Sequence, residues 1–88
     1  MAKIKDLEKV EQEFVKHGFN LVSAQPGPMD SGIAIFSNGP KSLRIIKDRS
    51  QWSFDTDKKL LESLGLWKAF DRADDFCNGV PSIIKNLK

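Results

Sequence analysis

Residues 32–48, GIAIFSNGPKSLRIIKD, constrain the fold more than any other part of this 88-residue chain. Two short apolar runs lie on either side of Asn38-Gly39, a dipeptide that tolerates the positive φ angles of a tight hairpin turn. The pattern therefore predicts that residues 33–37 and 43–47 pair as antiparallel strands.

Two further strands are predicted beside this hairpin. FNLVSA, at residues 19–24, is partly β-branched or aromatic, and it is closed by the loop sequence QPGPMDSG. Pro26 and Pro28 are incompatible with a regular hydrogen-bonded ladder through that loop. After the hairpin, the polar turn DRSQ precedes WSFD. Because short turns join successive strands, we expect an antiparallel meander of about four strands.

An N-terminal helix is the clearest element outside the predicted sheet. Apolar residues recur at intervals of three and four from Ile4 to Val15, which predicts a helix from about Lys3 to His17. Gly18 supplies the left-handed residue that commonly ends a helix.

After the sheet the apolar period changes from two to nearly four. Thr56 or Asp57 is expected to cap a first helix. A second helical pattern begins near residue 66 and is interrupted by Asn78-Gly79, after which Pro81 is expected to begin a last short helix. Two or three C-terminal helices follow from this pattern.

These elements predict an α+β fold in which the helices pack on one face of the sheet, in a single domain over residues 1–88. The apolar periodicity also predicts the side chains of the core. They are Leu7, Val10, Phe14, Leu21, Ile33, Ile35, Leu43, Ile45, Phe54, Leu61, Leu64, Phe70, Phe76 and Ile84.

Composition limits the possible functions. Fourteen Lys and Arg against 12 Asp and Glu give a net charge of +2, so the long-range attraction for a polyanion is weak. The single cysteine, Cys77, provides no internal disulfide and indicates a reducing compartment. No segment approaches the roughly 18–20 apolar residues of a membrane span, and the N-terminus lacks the apolar run of a signal peptide. We expect a cytoplasmic protein without membrane attachment.

Catalytic and metal-binding motifs are not evident. His17 is the only histidine, which excludes a multi-histidine metal centre, and Cys77 lies at an apolar helical position typical of a core thiol. The glycines do not have the spacing of a phosphate-binding loop. We therefore expect no enzymatic activity, no cofactor and no bound metal.

The segment LRIIKDRSQWSFD, residues 43–55, contains the first candidate surface. If Leu43 faces the helices, Arg44 lies on the open face of the sheet, whereas Arg49 reaches a turn. Trp52 near an arginine has the composition of an interface anchor, and its ring also offers a stacking platform for nucleic acid. Because Trp52 shares its parity with Phe54, a position in the core is an equal alternative.

Acidic residues form the second candidate surface. Asp71, Asp74 and Asp75 lie at helical neighbour spacing, which is most often a solvated helix face but also suits a basic partner. A divalent-metal enzyme that uses these carboxylates is the least favoured alternative. Trp67 lies on an apolar helical stripe and is expected in the core.

The helix–meander–helix outline, together with LRIIKDRSQWSFD, resembles small cytoplasmic immunity proteins that bacteria pair with polymorphic or contact-dependent toxins, and small phage-encoded inhibitors. The resemblance covers most of the chain as an outline and residues 43–55 as sequence. It implies tight one-to-one binding that occludes the active site of a partner, such as a toxin or an enzyme, without cofactor or catalysis.

We therefore expect protein–protein binding by a monomer or homodimer, with nucleic-acid binding through the sheet face as the alternative. The side chains predicted to make the contact form one group on the sheet and one acidic group. They are Arg44, Arg49, Trp52, Asp71, Asp74 and Asp75.

Overall fold

A computed structural model describes residues 4–87 of the chain and confirms the predicted α+β architecture. One helix precedes a four-stranded antiparallel sheet in the order β1-β2-β3-β4, and two helices follow it. The elements in chain order are α1 (Leu7–Lys16), β1 (Asn20–Gly27), β2 (Ser31–Ser37), β3 (Ser42–Asp48), β4 (Gln51–Asp55), α2 (Lys58–Leu64) and α3 (Ala73–Asn86).

Helix α1 begins at residue 7, later than predicted, and the predicted start Lys3 lies outside the described residues. Its end agrees with the prediction. Gly18 has a φ of 82°, and the Phe19 amide donates to the Phe14 carbonyl at 3.0 Å. This turn brings the rings of Phe14 and Phe19 to a centroid distance of 6.3 Å, so the end of the helix is fixed within the core.

Strand β1 is longer than predicted and includes Pro26, which the sequence placed in a loop. β1 is an edge strand, so a residue whose backbone N–H would point away from β2 has no hydrogen bond to lose. A proline is therefore tolerated in this strand. The register between β1 and β2 shifts between Leu21 and Ser23, so the edge strand contains a bulge.

The register of the central hairpin decides which side chains face the helices. Phe36 of β2 pairs with Leu43 of β3, and both are buried. Ile33 and Ile35 have the opposite parity and point to the other face, so their prediction as core residues is wrong. Alternate residues of β2 are apolar on both faces of the sheet, so the sequence of β2 does not indicate which face is buried. The structure buries the smaller Ala34 in place of Ile33 and Ile35.

The first C-terminal helix agrees with the sequence pattern. The Asp57 side chain caps α2 by accepting a hydrogen bond from the Lys59 amide at 3.1 Å, and Gly65 ends it with a φ of 73°. Residues 66–72 then leave the helical conformation. Within them, Phe70 bridges to Trp52 of β4 through reciprocal backbone hydrogen bonds of 2.7 and 2.6 Å.

Helix α3 is continuous from Ala73 to Asn86, so the break predicted at Asn78-Gly79 is wrong. Gly79 is a packing position, because a Cβ there would lie 2.8 Å from Cδ2 of Leu66. Pro81 removes one helical hydrogen bond, but the helix buries side chains on both sides of it, and this burial stabilises the helix across the proline.

One cluster of buried side chains lies between the sheet and the helices. Aromatic rings stack through it, with centroid distances of 4.0 Å for Phe14–Phe36 and 4.3 Å for Phe54–Phe76. The buried apolar residues absent from the predicted core are Ile4, Phe19, Ala34, Phe36, Trp52, Ala73, Val80 and Ile83.

Candidate functional site

Within residues 4–87, the helices cover one face of the sheet and leave the other open. On the open face, Ile33 of β2 pairs with Ile46 of β3, and Ile35 lies two residues further along β2. Ile33 is 38% exposed, while Ile35 and Ile46 are half-buried. We refer to Ile33, Ile35 and Ile46 as the isoleucine patch.

Polar side chains surround the isoleucine patch. On the β1 side, Ser23 and Gln25 lie opposite the isoleucines of β2, and on the β4 side Ser53 lies opposite Ile46. Val22, the unpaired residue at the bulge of β1, is 64% exposed at the edge of the sheet. An apolar centre within a polar rim is the usual arrangement of a protein–protein interface.

Arg44 lies on the open face, as the sequence predicted. It pairs across the strands with Asp55, whose Oδ2 accepts a hydrogen bond from Nε of Arg44 and forms an ion pair with its Nη2. The arginine side chain is 54% exposed, so the ion pair lies at the surface. Because Asp55 neutralises Arg44, the pair adds no net charge to the open face.

The structure separates Arg44 from the two other side chains predicted on the sheet surface. Trp52 is 2% exposed, and its ring stacks on Phe76 at 5.5 Å within the core. Arg49 lies in the turn between β3 and β4 with a φ of 51°. This corrects the placement of Trp52 on a contact surface, because the parity that buries Phe54 also buries Trp52.

The three acidic residues do not form one uncompensated helical patch. Asp71 precedes α3 and accepts a hydrogen bond from Gln51 at 2.7 Å. Asp74 forms a 2.8 Å ion pair with Lys9, which holds the pKa of Asp74 below its ordinary value and raises the pKa of Lys9. Asp75 is exposed in the first turn of α3. Within residues 4–87, no group of three or more His, Cys, Asp or Glu side chains is placed to hold a metal ion.

Lys47 is a buried charge that the sequence interpretation missed. Its Nζ donates to the Lys5 carbonyl at 2.9 Å and to Oδ1 of Asp30 at 3.0 Å, and it lies 5.0 Å from the centroid of Trp52. Asp30 accepts hydrogen bonds from Ser50 and from Lys47, and these bonds, chiefly the one from Ser50, hold the pKa of Asp30 below its ordinary value. Through these contacts Lys47 connects the segments that contain Lys5 and Asp30 to the core. Lys47 has the same parity as the buried residues of β3, and this parity is the sequence signal that could have identified it.

Trp67 is 59% exposed, so its predicted place in the core is wrong. The prediction assumed a helix, but the segment that contains Trp67 is not helical, so helical spacing does not determine its orientation. The Lys68 ammonium lies 5.5 Å from the centroid of the indole. An exposed tryptophan beside a cation has the composition of a contact residue, which sequence periodicity alone did not reveal.

Cys77 is a free, half-buried cysteine on α3. Burial raises the pKa of its thiol, with a further contribution from the Glu13 carboxylate. The environment therefore favours the protonated thiol and does not activate it as a nucleophile.

No family model, curated protein or solved structure matches this chain. In the part of the chain that the structure describes, no helix combines the length and apolar character needed to cross a bilayer.

Proposed function

We propose that the protein acts by binding another protein through the isoleucine patch on the open face of its sheet. The observation that carries this proposal is the distribution of side chains on β2. Ala34 and Phe36 face the core, whereas Ile33 and Ile35, which are also apolar, lie on the open face. Covering the isoleucines removes apolar surface from water, which favours association.

The rim of the open face indicates the chemistry of the partner. The isoleucine patch is uncharged, and Arg44 is already paired with Asp55, while Asp48 of β3 places an exposed carboxylate beside Ile33 and Ile46. A partner surface with an apolar centre of similar size and few charges therefore fits best, while Arg44 at the rim influences orientation more than affinity. Because strands position the patch, little conformational entropy is lost on binding.

We further propose that the partner is a toxin or an enzyme whose active site the protein occludes. The resemblance to small immunity proteins and phage inhibitors supports this choice, since those proteins act by one-to-one contact. A preformed sheet face suits such an inhibitor because it presents its contact residues without rearrangement.

The alternative of nucleic-acid binding receives less support. Proteins that bind single strands combine stacking rings with a cationic groove. The strand aromatic residues Phe36, Trp52 and Phe54 all lie on the covered face. Arg44 on the open face is neutralised by Asp55, so neither component is available there.

The proposal is tested by co-expressing the chain with the product of the adjacent gene in its genome and measuring the complex by calorimetry. We expect a one-to-one complex that inhibits the partner. Ile33→Lys and Ile46→Lys should each weaken binding by at least about 100-fold, because each places a charge in an apolar contact. Val15→Lys, at an exposed apolar position of α1, is the matched control and should bind normally.

Two results would overturn the proposal. One is an adjacent product that forms no complex, or a complex that the isoleucine variants leave unchanged. The other is binding of single-stranded DNA or RNA whose affinity falls steeply as salt is raised, which would favour the nucleic-acid alternative.

A further inference from the structure

We infer that two hairpin turns at one end of the sheet extend the contact surface for the protein partner, and that Met29 and Arg49 are the side chains that make this contact. We refer to these two side chains as the turn tips. The inference rests on the proposed function, because it names a further part of the surface that meets the same partner. Its evidence is independent of the isoleucine patch, since it comes from the backbone conformation of the turns.

Both turns contain consecutive residues in the left-handed backbone region. Between β1 and β2, Met29 and Asp30 each have a φ of 56°, and between β3 and β4 Arg49 and Ser50 have φ values of 51° and 71°. In this region the Cβ atom crowds the backbone carbonyl, so residues other than glycine, asparagine and aspartate are uncommon. A two-residue hairpin turn usually contains Asn-Gly or Asp-Gly for the same reason. Methionine and arginine therefore destabilise the turns that contain them.

Contacts within the chain explain the second residue of each turn. Oγ of Ser50 donates to Oδ2 of Asp30 at 2.6 Å, and the Ser50 amide donates to the Asp30 carbonyl at 3.3 Å. The ammonium group of Lys47 donates to the other carboxylate oxygen of Asp30 at 3.0 Å. These bonds hold the two turns side by side and compensate for the backbone conformation of Asp30 and Ser50.

The turn tips have no comparable compensation. Met29 is 78% exposed, so its side chain contributes little to the core. Arg49 is also exposed, and within residues 4–87 its guanidinium forms no ion pair. The fold therefore gains little from either side chain, although both destabilise the backbone. Strained residues that the fold does not explain occur mainly at sites of function.

The turns are continuous with the isoleucine patch. A depression of about 300 Å³ is lined by Ile33 and Ile46 of the patch, and also by Ser31 and Asp48. Ser31 directly follows the first turn, and Asp48 directly precedes the second. One partner surface can therefore cover the patch and the turn tips together. Because the bonds to Asp30 hold the turns in place, they meet the partner already formed.

The two side chains indicate the chemistry of the partner at this end of the sheet. Methionine is flexible and polarisable, so it adapts to an irregular apolar pocket. Arginine is enriched at protein interfaces, and its guanidinium forms bidentate hydrogen bonds with carboxylates. We therefore expect the partner to place an apolar pocket at Met29 and a carboxylate at Arg49.

Stability and binding should change in opposite directions when the strain at Met29 is removed. Met29→Gly should raise the melting temperature of the free protein by about 3–6 °C, because glycine adopts the left-handed conformation without strain. The same variant should weaken binding to the product of the adjacent gene by about 10-fold, because it removes an apolar side chain from the contact. Thermal unfolding followed by circular dichroism and titration calorimetry measure the two effects.

Three further variants separate the contact from the strain. Met29→Leu keeps both the apolar side chain and the strain, so it should bind within about threefold of the unmodified chain. Arg49→Glu should weaken binding by at least about 10-fold, because it opposes the carboxylate of the partner. Asp6 is the matched control, since it is exposed with a φ of 65° at the start of α1. Asp6→Gly should leave binding unchanged.

The outcomes distinguish this inference from the proposed function. A melting temperature that Met29→Gly lowers would overturn the inference. A complex that Ile33→Lys disrupts but Met29→Gly and Arg49→Glu leave unchanged would also overturn it, with the proposed function intact. The reverse pattern would support the turn tips and overturn the isoleucine patch. An adjacent gene product that forms no complex would overturn both.

Discussion

The two faces of the sheet are built from the same strands, yet their apolar side chains have different surroundings. On the covered face, Phe36 stacks against Phe14 of α1, and Phe54 stacks against Phe76 of α3. On the open face, Ile35 lies between polar cross-strand neighbours, and no helix of the described part of the chain covers it. Burial within the chain stabilises the first face, whereas the second can gain comparable burial only through association. The comparison separates residues that maintain the fold from residues available for contact.

The largest expected difference between the faces concerns neighbouring residues of β2. Phe36→Ala should reduce the free energy of unfolding by about 3–5 kcal/mol, because it leaves a cavity beside Phe14. Ile35→Ala should cost about 1 kcal/mol, since its side chain is only half-buried. Urea unfolding monitored by tryptophan fluorescence measures both values. Equal losses would contradict the division into a core face and a contact face.

Two cations of β3 provide a smaller contrast. Lys47→Ala should cost about 3 kcal/mol, because it leaves a void and removes the donor to the Lys5 carbonyl and to Asp30. Lys47→Met, which keeps the side-chain volume, should cost about half as much. Arg44→Ala should cost less than about 1 kcal/mol, because its ion pair is exposed. If chemical denaturation shows Arg44→Ala to be as damaging as Lys47→Ala, the open face contributes to folding.

The smallest expected effect is the contribution of Asp30, at one end of the sheet, to the pH dependence of the free energy of unfolding. Its folded pKa lies below the ordinary value of 3.8 because of hydrogen bonds from Ser50 and Lys47. The stabilisation is therefore present above the unfolded pKa and is lost as the pH falls through the folded pKa.

Asp30→Asn should thus be less stable than the unmodified chain at pH 7, and the difference should shrink as the pH is lowered towards 2. Urea midpoints measured across this range provide the test. Asp48→Asn is the matched control, since Asp48 is exposed outside any helix and the described residues include no ion-pair or hydrogen-bond partner for it. A constant difference for Asp30→Asn would exclude the proposed ionic contribution.

Local signals in the sequence predicted much of the fold. Gly18 and Gly65 end α1 and α2 with positive φ angles, and Asp57 caps α2 through its own side chain. Each of these interactions joins residues close in the chain, so the residue type and its position are sufficient. The hairpin around Asn38-Gly39 was predictable for the same reason.

Features that depend on distant contacts were harder to predict. Gly79 was interpreted as a helix stop, but it accommodates Leu66 from another segment. The candidate site depended on a similar ambiguity, because β2 is apolar on both faces and only its packing shows that Ile33 points outward. The two tryptophans illustrate the limit of local sequence patterns. Trp52 is buried and Trp67 is exposed, and the sequence around each ring does not determine which of them enters the core.

The bridge between Phe70 and Trp52 also has a consequence for self-assembly into fibres. A growing cross-β stack needs each added unit to offer unpaired backbone on two opposite sides. Here the chain's own backbone already occupies the Trp52 position on one of those sides. A folded molecule that joined such a stack through β1 would therefore present an interrupted edge to the next unit.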